Sequence, residues 1–261
     1  MALTVAVTGP TGEIGIAAVD ALEREPEVER IIGMARRPFD PTSYGWVKTE
    51  YRQGDILDRA AVESLVEDAD VVVHLAYLIM GSRAASHLVN LDGTRNVFEA
   101  TVDAERPQRL VYTSSVAAYG YHPDNPQPLT EDVPTRGSKE HYYSQQKAEC
   151  ETLLRETTTG TGLEVYVLRP CIVAGPRATA LADSMPWRQL AARLDRLAVQ
   201  LPRDRCAFLR RVGHGVRVDR DRDVELARGK QLTHHRVALG DLGVGGQLRE
   251  EVVDLLIGHP L

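Results

Sequence analysis

A chain of 261 residues, 43% hydrophobic and 26% charged, can bury a substantial core as one generous domain or as one domain plus a lobe. A net charge of −6 and a pI near 5.8 argue against a general nucleic-acid partner. Cys150, Cys171 and Cys206 lack metal-ligand spacing and are odd in number, so neither a metal site nor a disulfide framework is expected. The opening residues carry no basic n-region, and the longest apolar run, Val71 to Met80, is too short to span a bilayer. A cytoplasmic protein with no membrane partner is the expectation.

In chain order, Leu3 to Thr8 reads as a β-rich first strand that ends at glycine. Ile14 to Glu25 follows as a helix, with Ile14, Ala17, Ala18, Ala21 and Leu22 on its apolar face. Val28 to Met34 is a second strand, Pro38 to Tyr44 is turn-rich, and Tyr51 to Gln53 is a short strand. Arg59 to Glu67 predicts a helix, Val71 to Ala76 a buried strand, and Ser86 to Val102 a helix. Arg109 to Ser114 is a strand, Glu140 to Thr157 a long helix, and Leu163 to Leu168 a strand. This alternation predicts an α/β fold with right-handed crossovers and a parallel sheet covered on both faces. After about Gly175 the texture changes: arginines and aspartates interleave, and periodicity is weak until Leu248 to Ile257. The expected division is one domain over residues 1–180 and a short, atypical region over 181–261.

Two features carry chemistry. Gly9, Gly12 and Gly15 stand between a strand and a helix. Gly9 permits the tight turn, Gly12 a close approach of backbone to a pyrophosphate, and Gly15 close helix–strand packing. The helix start would offer N–H groups and partial positive charge to the phosphates. At the end of the second strand an acid would bind a ribose 2′-hydroxyl, but Ala35 stands there, followed by Arg36 and Arg37. Their guanidinium groups suit a 2′-phosphate, so NADP is favoured over NAD. Asp55 either accepts from the adenine amino group or caps the next helix. The second feature is Tyr143 and Lys147, four apart on one helix face. Lys147 and a positive nicotinamide would both pull the phenol pKa down toward the working pH, and Ser114 or Ser115, at a strand end, could hold a substrate oxygen.

Several segments carry a family resemblance in order. They are Thr8 to Gly15, Gly54-Asp55-Ile56, His74-Leu75-Ala76, Asn90 to Val97, Thr113 to Gly120, Tyr143 to Lys147, Leu168-Arg169-Pro170 and Gly175-Pro176. On these the chain resembles the extended short-chain dehydrogenase/reductase superfamily, in its NAD-dependent epimerase/dehydratase branch. The resemblance covers roughly the first 180 residues. It implies a Rossmann-type doubly wound parallel sheet, with residues 1–180 as the NAD(P)-binding domain, and Ser115, Tyr143 and Lys147 as catalytic residues. It places the cofactor along Thr11, Glu13 and Ile14 of the glycine loop, Asp55 and Ile56, Leu75 and Ala76, Asn90, and the turn of Pro170 and Ile172. Where 4,6-dehydratases of the family have an Asp-Glu pair, this chain has Val116 and Ala117, so water elimination is not expected. The Arg/Asp-rich tail resembles no family lobe and reads either as a divergent short lobe or as an altered reading frame. The implied function is hydride transfer at a secondary alcohol or ketone, of a sugar nucleotide or a small hydroxy compound. The alternative is a dinucleotide-binding protein with little turnover. A homodimer is a possible assembly.

Overall fold

The computed structural model describes residues 2–79, 81–171 and 173. The predicted substrate region over 181–261, its Leu248 to Ile257 helix, and Ile172 lie outside the described residues. Strand β1 is Leu3–Thr8, helix α1 Glu13–Leu22, β2 Val28–Ala35, β3 Thr49–Gln53, α2 Arg59–Val66 and β4 Val71–His74. Next come α3, Arg83–His87, and α4, Thr94–Asp103, then β5, Arg109–Thr113, α5, Tyr142–Thr158, and β6, Glu164–Leu168. All six strands are parallel, in the order β3-β2-β1-β4-β5-β6. This is the parallel sheet the alternation predicts, in the doubly wound Rossmann-type arrangement the resemblance implies. The order reverses between β1 and β4, and the crevice beyond their C-terminal ends is where such sheets bind ligands.

Strand alternation decides which side chain covers which face. Val5, Val7, Val71, Val73 and Val111 face one side, where Val19 and Leu22 of α1 and the Trp46 ring cover them. Ala6, Val72, Leu110 and Tyr112 face the other, against Val62 and Leu65 of α2, Val97 and Phe98 of α4, and Leu153 and Leu154 of α5. Burial on both faces explains why these strands read as continuous apolar runs. No described helix is long and apolar enough to cross a membrane.

Three local details differ from the sequence reading. Helix α2 is capped by Asp58, whose Oδ1 accepts from the N–H groups of Ala60 and Ala61 at 3.1 and 3.3 Å. Asp55 is therefore not the cap; its Oδ1 accepts from the Leu57 N–H at 3.1 Å, in the turn before it. The predicted Ser86 to Val102 helix is broken into α3, a π-helical turn over Leu88–Gly93, and α4. Its cause is tertiary. Asn90 in the wide turn binds the Leu78 backbone, and a Cβ on Gly93 would fall 2.6 Å from Ile56 Cδ1. Strand β4 ends at His74, so Leu75 and Ala76 belong to the loop that follows.

Candidate active site

The glycine loop is shaped by its neighbours. Gly9 has φ +74°, and a Cβ there would sit 2.9 Å from the Ala76 backbone. A Cβ on Gly15 would lie 2.1 Å from the Gly9 carbonyl oxygen. Gly12 is different: its Cβ would meet only that oxygen, at 3.5 Å, so its outer side is open. Gly12 also caps α1 without any side-chain hydrogen bond. The N-terminal N–H groups of the helix thus have no side-chain cap to compete with an incoming anion. A dinucleotide pyrophosphate fits this arrangement. Thr11 and Glu13 are half-buried in the loop, while the Ile14 side chain stands exposed beside it.

On the far side of the switch point, Ala76 N–H donates to Thr8 Oγ1 at 3.2 Å and Leu75 N–H to the Thr8 carbonyl at 3.1 Å. The loop after β2 is pinned through its backbone. Tyr51 Oη donates to the carbonyls of Ala35 and Arg37, and Gln53 Nε2 to that of Arg36 at 2.9 Å. Both arginine side chains are exposed. No carboxylate among the described residues engages their guanidinium groups. Asp55 is half-buried at the same end of the sheet, whereas Ile56 is a core residue under Gly93.

Ser115 follows β5 and starts a short 3₁₀ helix, Val116–Tyr119. Its Oγ accepts from Ala117 N–H at 3.2 Å and lies 3.5 Å from the Pro170 carbonyl, which also accepts from Val116 N–H at 3.1 Å. Ser115 lies near enough to the Tyr143 hydroxyl to favour its ionised form. The structure therefore brings the catalytic serine and tyrosine of the sequence reading together, beside the Pro170 turn. Ser114 points elsewhere: it is buried and its Oγ donates to Glu151 Oε1. Tyr142 donates to the Ile79 carbonyl at 3.2 Å, away from this pair.

Lys147 lies one turn after Tyr143 on α5 and is buried. Its Nζ donates to the Thr113 carbonyl at 2.8 Å and sits 3.6 Å from the centroid of the Tyr77 ring. Burial brings its pKa down to about 8. Burial also raises the Tyr143 pKa above its ordinary value, against the lowering effect of the nearby Ser115. The sequence reading expected Lys147 to bring the phenol down. In the protein alone, burial is the largest influence on the phenol and raises it, while the ammonium is directed at Thr113 and Tyr77.

Other residues hold this constellation. Asn90 is fully buried and its amide is spent inside the protein. Oδ1 accepts from Leu78 N–H at 2.7 Å, and Nδ2 donates to the Leu78 carbonyl and to Gln146 Oε1, each at 3.0 Å. Arg169 grips the buried Glu151 with two donors at 2.9 and 2.7 Å and reaches the Tyr119 hydroxyl at 2.9 Å. That fork ties the end of β6 to α5 and to the Ser115 helix. His74 is wedged between Thr8 Oγ1 at 2.7 Å and Thr94 Oγ1 at 3.0 Å, and burial lowers its pKa to about 3, so it is neutral. The sequence reading missed Tyr77, Gln146 and the Arg169–Glu151 pair. Only the flanking His74-Leu75-Ala76 and Lys147 could have directed attention to the first two.

Comparison with known proteins agrees with this geometry. The model of the NAD dependent epimerase/dehydratase family matches residues 5–204. The chain is 33% identical over 193 residues to 3 beta-hydroxysteroid dehydrogenase type 7 of Homo sapiens, covering 68% of this chain and 52% of that protein. A UDP-N-acetylglucosamine 4-epimerase from Methanobrevibacter ruminantium superimposes with a TM-score of 0.58 at 29% identity, over 67% of this chain and 57% of that one. A short-chain dehydrogenase/reductase superfamily protein from Agrobacterium tumefaciens with bound NAD gives 0.53 at 28% identity, over 64% and 48%. The chain thus spans about half the length of the curated relatives it matches. With a family match over residues 5–204, most of its length, this chain belongs to the NAD-dependent epimerase/dehydratase family.

Proposed function

We propose that this chain is an NAD(P)-dependent oxidoreductase or epimerase that interconverts a secondary alcohol and a ketone. The observation that supports it most is the proximity of Ser115 and Tyr143 at the C-terminal edge of the sheet, with a buried ammonium one turn away. Residues 1–180 would form the cofactor domain and 181–261 the substrate region.

Gly9, Thr11, Gly12, Glu13, Ile14 and Gly15 would hold the pyrophosphate side. Asp55, Ile56, Leu75 and Ala76 would line the adenosine, and Asn90, Pro170 and Ile172 would shape the nicotinamide end. A bound nicotinamide would supply the acceptor or donor of the hydride. Ser115 holds the substrate oxygen by a hydrogen bond. Tyr143 takes the hydroxyl proton when alcohol is oxidised and returns it when ketone is reduced. Lys147, fixed by the Thr113 carbonyl, would face the bound cofactor and place positive charge near the phenol. That charge, with the cationic nicotinamide, offsets the burial that keeps Tyr143 neutral in the protein alone. The exposed Arg36 and Arg37 favour a 2′-phosphorylated cofactor.

Relatives named for steroid and for sugar-nucleotide substrates both match, so a panel test is required. The protein is incubated with NADP or NAD and with a 3β-hydroxysterol, a uronate and UDP-sugars. Nicotinamide reduction is followed by absorbance and epimer ratios by NMR. Reduction or epimerisation that disappears in Tyr143→Phe supports the reading. Tight dinucleotide binding with no turnover on any member would replace it with a binding protein.

A further inference from the structure

The loop after β4 carries Tyr77 under the catalytic helix. Its ring centroid is 3.6 Å from Lys147 Nζ. It also meets the Tyr143 ring edge to face, at 5.6 Å between centroids and an interplanar angle of 83°. The far end of Tyr77 is anchored: its hydroxyl donates to Gln146 Oε1 at 3.4 Å, the same oxygen that accepts from Asn90 Nδ2. Asn90 also clamps both backbone groups of the next residue, Leu78. The ring is therefore a fixed floor beneath the ammonium. Burial keeps its phenol neutral.

Lys147 lacks an ionic partner among the described residues. The groups that face it are His74 from β4, Tyr112 from β5, Cys150 and Glu151 from its own helix, and Tyr77 from the loop. His74 is neutral, the Cys150 thiol is pushed up by burial, and the Tyr112 centroid is more distant at 5.2 Å. The Glu151 carboxylate is engaged by Arg169 and Ser114. Besides the Thr113 carbonyl, the Tyr77 face is the nearest electron-rich surface for this cation. Such a face attracts a cation most strongly where water is excluded.

We propose that Tyr77 is a positioning residue for the catalytic pair: its anchored ring face keeps the Lys147 ammonium charged and in place beside Tyr143. The proposal rests on the reading of Tyr143 and Lys147 as that pair. A ring without its hydroxyl can still do this; an aliphatic side chain of similar size cannot. Replacing the ring while the site stays dry leaves the desolvation of Lys147 unopposed, so Lys147 should lose its proton at lower pH.

The sequence contains only four lysines, Lys48, Lys139, Lys147 and Lys230, so each can be followed by NMR in full-length protein labelled at lysine. Lys147 should titrate near 8 in the wild type. It should titrate near the same value in Tyr77→Phe and about one pH unit lower in Tyr77→Leu. At pH 8 that lowering leaves about fivefold less charged Lys147, so the dinucleotide dissociation constant should rise up to about fivefold in the leucine variant alone. If Tyr77→Leu does not fold, Tyr77→Met makes the same test with a flexible filler. A Lys147 that titrates at or above the wild-type value in the aliphatic variants, or as low in Tyr77→Phe as in them, overturns the proposal. Failure of the wild type to bind either dinucleotide would defeat the functional reading instead, because the titrations are made on the free protein.

Discussion

Tyr143 and Lys147 show the same burial acting on two groups in opposite chemical senses. Burial disfavours charge, so the phenol is raised and the ammonium lowered. Tyr143→Phe should reduce turnover by about a hundredfold or more while cofactor affinity changes little, because only the proton-transfer step needs the hydroxyl. A steady-state assay beside a cofactor titration checks this. Lys147 has a further consequence. Its folded pKa, about 8, lies below its unfolded value. Below pH 8 it is charged in both states, and the folded state then carries the full penalty of burying it. Lys147→Met should therefore raise stability at pH 7 by about 1–2 kcal/mol while it removes activity. Thermal unfolding reads the first effect, and a melting temperature equal to or below wild type would reject it. Of the residue-scale picture, Tyr143 and Lys147 were legible as a pair because their spacing is local, whereas Ser115 was separated from Ser114 only by the family resemblance. Tyr77 was not, because an aromatic residue in an apolar run reads as core. The Arg169–Glu151 fork was not, because only the fold brings β6 onto α5.

At the scale of elements, the β1 to α1 turn was readable because each glycine answers to a neighbour close in sequence or across one strand pair. The structure separates their tasks. Gly15→Ala would drive a methyl into the Gly9 carbonyl and should destabilise the fold by about 1–3 kcal/mol. Gly12→Val has room for its Cβ in the protein alone, so it should fold normally yet bind dinucleotide at least tenfold more weakly. Denaturant unfolding and calorimetric titration of both variants check the contrast. The π-helical turn at Leu88–Gly93 was not legible, because its cause is the tertiary grip of Asn90 on Leu78 and Gln146. Nor could the sequence decide between two aspartates three residues apart as the cap of α2. The geometry favours Asp58 because its Oδ1 reaches two N–H groups.

At the scale of the whole molecule, His74 joins β1, β4 and α4 through two threonines at the centre of the sheet. Its folded pKa, about 3, lies below the unfolded value near 6.5, so the unfolded chain binds the extra proton first. The His74 contribution is complete above pH 6.5 and is lost as pH falls from there toward 3. At pH 4.5 that loss should amount to about 2–3 kcal/mol, and His74→Gln should unfold with a shallower acid dependence. Urea unfolding at pH 7 and pH 4.5 tests this, and equal acid sensitivity in the two proteins would reject it. The parallel sheet was legible from the alternation of elements, since parallel strands need crossovers, whereas alternation alone does not fix the order in which the strands lie side by side.

The proposed function requires that this sheet edge bind a nicotinamide dinucleotide for proton and hydride chemistry. The most direct measurement is a calorimetric titration of the full chain with NADP and with NAD, repeated for Arg36→Ala and Arg37→Ala. The account predicts saturable one-site binding, tighter for NADP, with the preference reduced in at least one arginine variant and NAD affinity unchanged. A folded protein that binds neither dinucleotide would contradict the proposed function itself. Tighter NAD binding would contradict only the role given to the arginines.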